Sequence, residues 1–166
     1  MNYLSSNSRI INTKGSNLYF HCQWMFIIIL MITNIHNAKS QVYNHPTYAR
    51  KSNNEIEIIR IQITNKYTIV ELVHTNPFFS GGWANITPTA FIRLPKIGKQ
   101  LKLIKATGIP IRPKQYNYKK QGEKLYFRLY FPPVNPSTEY LDIIELEGAD
   151  MNKAFNFYRV KLVPIA

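Results

Sequence analysis

Glu145 and Glu147 come nearest to a catalytic pair in this chain. Two positions apart on an extended strand, they would share one face with side-chain origins about 7 Å apart. Carboxylates at that range can serve glycoside hydrolysis. The residues around them describe a different job. Leu141, Ile143, Ile144 and Leu146 flank the pair, and Asp142 points to the opposite face, so the segment reads as a strand emerging from a core. No further group nearby completes a reaction geometry. A non-catalytic chain is therefore expected, with a small glycan hydrolase using Glu145 and Glu147 as the alternative.

His45 and His74 are the histidines beyond residue 40, and neither has a His, Asp or Glu two positions away. Glu71 precedes His74 by an odd offset, which on a strand places the two on opposite faces. A surface or strand-end role is expected for both, with no metal site and no cofactor. Gly81-Gly82 leads into Trp83 and not into Lys-Ser/Thr, so there is no phosphate loop, and no nucleophile elbow occurs.

Binding has better candidates. Trp83 follows Phe78-Phe79 and two glycines, a setting in which its ring could face a sugar or a peptide. Large aromatics are usually mostly buried, so the preferred expectation is a Trp that plugs the end of the fold. Between Pro113 and Gly122, Tyr116 and Tyr118 alternate with polar residues and run into Lys119 and Lys120. Such a mixture can stack on rings while neutralising anions; its plainer reading is a solvated hairpin tip. Trp83, Tyr116, Tyr118, Lys119 and Lys120 are thus the candidate binding residues.

The elements that must position them are strands. In 56–63, Ile56 and Ile58 alternate with Glu57, then Ile61 and Ile63 with Gln62; the phase slips at Ile58-Ile59, which predicts a bulge. Asn65-Lys66 is a tight turn into 67–74, closing a first hairpin. Further strands are expected over 89–94, 100–106, 124–131, 140–147 and 155–163, with a short extended piece at 109–112. The clearest run is 124–131, where Leu125, Phe127, Leu129 and Phe131 oppose Tyr126, Arg128 and Tyr130. No window beyond residue 54 keeps a helical period. Seven or eight short strands separated by turn residues predict an all-β, antiparallel β-sandwich over 54–166. Residues 41–53 contain Pro46, show no period and read as a polar leader.

The compartment is written ahead of them. Arg9 and Lys14 precede nine consecutive apolar residues at 24–32, and small residues follow at Ala38 and Ser40. That order describes a signal peptide over 1–40, cleaved between Ser40 and Gln41. A spanning helix needs roughly 20 apolar residues, so a membrane role is expected only if the segment stays uncleaved. Cys22, the single cysteine, leaves with it, which excludes thiol catalysis and cysteine-based metal sites. Beyond residue 40 there are 18 basic and nine acidic side chains. Eleven of the basic ones lie between Arg93 and Arg128, accompanied by Glu123 alone. A field of that sign favours anionic partners. Export makes nucleic acid the partner not expected, and leaves an anionic glycan or an envelope protein.

A longer succession carries a resemblance. It runs through Trp83, Ile86-Thr87-Pro88-Thr89, Gly98-Lys99 with Leu101, Ala106-Thr107-Gly108-Ile109 and Gly122-Glu123-Lys124-Leu125-Tyr126-Phe127. Phe131-Pro132-Pro133, Thr138, Leu141-Asp142-Ile143-Ile144-Glu145 and residues 155–162 continue it. It resembles an uncharacterised, immunoglobulin-like β-sandwich domain of secreted or cell-envelope Bacteroidetes proteins. The resemblance implies a sandwich and a periplasmic or extracellular location, makes Asp142 and Glu145 framework positions, and assigns no reaction. In a bacterial chain the sequon Asn85-Ile86-Thr87 is not expected to carry sugar. The expectation is an exported interaction module.

Overall fold

The protein was studied as a computed structural model, which describes residues 40–148 and 154–162. The apolar run at 24–32, Cys22 and Ala38 lie outside the described residues. Within them the fold is all-β, with antiparallel sheets and no helix. The strands are β1 (Gln41–Asn44), β2 (Arg50–Lys51), β3 (Ile56–Ile63), β4 (Thr68–Thr75), β5 (Trp83–Ala84) and β6 (Phe91–Leu94). There follow β7 (Lys99–Lys102), β8 (Lys105–Thr107), β9 (Tyr116–Asn117), β10 (Lys124–Phe131), β11 (Tyr140–Ile144) and β12 (Phe157–Lys161). One five-stranded sheet has the order β1-β3-β4-β10-β8 and a second the order β2-β12-β11-β6-β7, while β5 and β9 form a two-stranded sheet.

Alternation decides what faces the core. On β10 the four odd-numbered apolar residues are buried, and on β4 Thr68, Val70, Leu72 and His74 are. The apolar ones among these meet Ile92, Leu94, Leu141, Ile143, Phe157 and Val160 of the second sheet in one cluster. Each large side chain so buried contributes about 1.5–3 kcal/mol relative to exposure. The register of β3 on β4 shifts between Ile58 and Arg60, as the phase slip predicts. That one extra residue returns Ile61 and Ile63 to the core and sends Arg60 and Gln62 outward.

Three features differ from the sequence expectation. Residues 41–44 are not a free leader: β1 pairs antiparallel with β3, and Tyr43 is buried in the core cluster. The run 100–106 is two strands in different sheets, because the chain crosses over at Leu103-Ile104. Leu103 N donates to Ala90 O on one side and Ile104 N to Tyr130 O on the other. And β11 ends at Ile144, ahead of both glutamates. The side chain of Asn156 takes over there, accepting from Glu145 N at 2.8 Å and Leu146 N at 3.3 Å and donating to Leu146 O at 3.1 Å.

Candidate binding site

Trp83 and Asn117 face one another across the β5–β9 ladder, as do Ala84 and Tyr116. Strand alternation then sorts the side chains. Ala84 is buried and Tyr116 packs against the core, whereas Trp83 and Asn117 point outward. Gln115 joins them by donating through Nε2 to Asn117 Oδ1 at 2.8 Å. Trp83 is 56% exposed, so it does not plug the fold.

Tyr118 does that instead. It lies two positions beyond Tyr116 and so shares its inward face; its ring stands edge-on to Tyr116 at 5.1 Å. Its hydroxyl meets His74 Nδ1 at 2.6 Å. Burial pushes the Tyr118 hydroxyl pKa up and the His74 imidazole down, with Glu55 opposing the latter. His74 is therefore a core residue rather than a surface one. Tyr116 donates through its hydroxyl to Glu123 Oε1 at 2.5 Å, and Lys119 N donates to Oε2 at 2.7 Å. Those bonds hold the Glu123 carboxyl below its ordinary range, the Tyr116 hydroxyl most of all. Of the five candidate residues the structure brings Trp83, Lys119 and Lys120 to the surface and turns Tyr116 and Tyr118 into supports.

Asn76 locks the loop that presents these groups. It is 1% exposed. Its Nδ2 donates to Phe78 O at 3.1 Å and Lys120 O at 2.9 Å, and its Oδ1 accepts from Phe78 N at 3.3 Å. Its backbone bonds Glu123 O and Gly122 N, each at 2.9 Å. Gln121 Nε2 adds a bond to Pro77 O at 2.8 Å, and Tyr118 N one to Gly82 O at 2.8 Å. The loop 77–82 and the turn 118–123 are thereby one unit. Gly82 must be glycine, since a Cβ there would collide with Asn76 Oδ1. On this unit Phe78 and Phe79 stand 61% and 87% exposed, a few residues ahead of Trp83 in the chain. Lys114, Lys119 and Lys120 are exposed, and none is in an ion pair among the described residues. The two phenylalanines, named above only as the setting of Trp83, join the candidate residues here; the signal for them is a stretch from Leu72 to Ile92 with no charged residue but three aromatics on a glycine-rich loop.

The acidic pair is divided. Glu145 is buried, accepting Thr87 N at 3.2 Å on Oε1 and Phe155 N at 2.8 Å on Oε2. Burial raises its pKa, and the two N–H groups and Arg112 oppose the rise. Glu147 is exposed and accepts from Arg93 Nη1 at 2.6 Å. Asp142 is buried, accepting Arg93 Nε at 3.1 Å and Arg159 N at 2.8 Å. Arg159 has a φ of 53°, left-handed, opposite a register shift in β11, so the carboxylate takes an N–H that the ladder leaves free. Asn85 is buried as well, donating to Lys114 O at 3.2 Å. Groups of three or more metal-ligating side chains are absent among the described residues. No family model, curated protein or solved structure matches the chain.

Proposed function

We propose that the chain is an exported, non-catalytic binding module whose contact surface is the Trp83 face, and that its ligand is an anionic glycan. The supporting observation is that Phe78, Phe79 and Trp83 are all exposed in one short stretch of chain, whose loop backbone a buried asparagine fixes. An exposed aromatic ring such as that of Trp83 offers a face to the C–H side of a sugar ring. The amides of Asn117 and Gln115 lie on the same side to exchange hydrogen bonds with hydroxyls. Lys114, Lys119 and Lys120 supply positive charge from side chains that form no ion pair among the described residues, with Glu123 the one carboxylate acting on Lys119. Export rests on the pattern of residues 1–40 and on the resemblance to secreted sandwich domains. An envelope protein is the other partner considered.

The test is a glycan array read at two salt concentrations, followed by calorimetry on the hits. Acidic glycans should bind, weaken as salt rises, and lose roughly tenfold in affinity in Trp83→Ala and in Lys119→Ala/Lys120→Ala. Undiminished binding in both variants would remove the site. A blank array together with a protein captured by in-cell crosslinking at Phe79 would replace the glycan with an envelope partner.

A further inference from the structure

A second surface, on the outer face of the first sheet, carries four side chains in register: Arg60 on β3, Glu71 on β4, Arg128 on β10 and Thr107 on β8. Arg60 Nη2 and Arg128 Nε donate to the same oxygen, Glu71 Oε1, at 2.8 and 2.7 Å. Oε2 has no hydrogen-bond partner among the described residues and remains accessible. In the neighbouring row Tyr126 stands opposite Val73 and is 60% exposed. β8 ends at Thr107, and Gly108 takes the next place with a φ of 81°. A side chain there would meet Tyr126 O at 2.5 Å and Phe127 Cα at 3.1 Å. That glycine lets the chain leave β8 hard against the β10 backbone, and beside it lies a groove of about 320 Å³, lined by Ile59, Glu71, Thr107, Gly108, Tyr126 and Arg128.

We infer that this groove is a subsite for one hexopyranose ring. Its volume is at the small end of the range for ligand pockets. Its chemistry asks for three things at once. The exposed Tyr126 ring and Ile59 ask for an apolar face. Glu71 Oε2 asks for a hydroxyl that donates. The Nη groups of Arg128 and the Thr107 hydroxyl ask for oxygens that accept. The Arg60 guanidinium keeps the Glu71 carboxyl below its ordinary range, so the acceptor stays ionised. A simple anion would satisfy Arg128 but face the Glu71 carboxylate, and a purely apolar group would strip water from both charges without replacing it. A sugar ring, with C–H groups on one face and adjacent hydroxyls on its rim, meets all three. The assignment stands on these contacts and does not require the Trp83 face to bind anything.

The experiment titrates methyl glucoside, methyl galactoside and methyl mannoside into the isotopically labelled full chain and follows the Thr107, Gly108 and Tyr126 amides by NMR. At least one sugar should shift them saturably. Tyr126→Ala and Thr107→Val should each raise the apparent Kd about fivefold or more, with melting temperature as the check on folding. Trp83→Ala should leave the titration unchanged. No saturable shift with any of the three sugars, or an apparent Kd left unchanged in Tyr126→Ala, would overturn the subsite. So would loss of the shifts in Trp83→Ala, which would move binding to the other surface.

Discussion

Glu145 and Asn76 show how a buried polar side chain can stand in for secondary structure. Glu145 satisfies two backbone N–H groups in segments that no ladder reaches. Glu145→Ala should therefore destabilise the fold by about 3 kcal/mol in urea unfolding, since each buried donor left unpaired costs roughly 1–3 kcal/mol. Asn76→Ala should cost about 2 kcal/mol by the same reasoning. It should also raise amide exchange in both 77–82 and 118–123, where a purely local role would affect the first alone. His74 gives the pH dependence. Burial lowers its pKa from the ordinary 6.5, so the neutral ring's contribution is complete above that pH. It is lost as pH falls from there through the folded value. Glu145 has the opposite sign: its raised pKa favours the fold at acid pH, and that gain fades as pH rises through its folded value. In His74→Gln, which retains a hydrogen-bonding partner for Tyr118, the loss of stability on acidification below 6.5 should flatten.

At the scale of elements, local period was the legible part. β3, β4 and β10 follow from alternation over eight residues each, and the bulge from a slip in it. What alternation cannot encode is the partner. β1 carries one buried side chain, Tyr43, and is a strand only because the edge of β3 receives it. Lys99–Lys102 and Lys105–Thr107 look continuous because the crossover between sheets lasts two residues. The face of Trp83 was illegible for the same reason: β5 has two residues, and its inward and outward sides are set by β9, far along the chain. The alternation of Tyr116 and Tyr118, by contrast, is legible in the sequence and marks their shared inward face, whatever charged residues stand beside it. β7 is an edge strand of the second sheet, and its Lys99 and Lys102 are exposed. Lysines at an edge oppose pairing between molecules. Lys99→Val/Lys102→Val should therefore leave the melting temperature nearly unchanged while producing concentration-dependent dimers in sizing experiments.

For the whole molecule, charge and address carry the remaining tests. The excess of basic residues beyond residue 40 predicts association with acidic polymers that slackens as salt rises. If residues 1–40 are a cleaved signal, intact-mass measurement of the protein recovered from cells should give an N-terminus at Gln41. A mass that retains residue 1 would instead make the same domain membrane-tethered. Six ion pairs are found among the described residues, and three of them join different strands of a sheet. Most are exposed enough that each adds little stability, so high salt should weaken ligand capture long before it affects folding.

The bonds from Asn76 to both Phe78 and Lys120 have a consequence for inheritance and for transplantation. Two stretches far apart in the chain can change length only together. A graft of the aromatic loop onto another sandwich should fail to reproduce the surface unless the lysine-bearing turn and its asparagine travel with it.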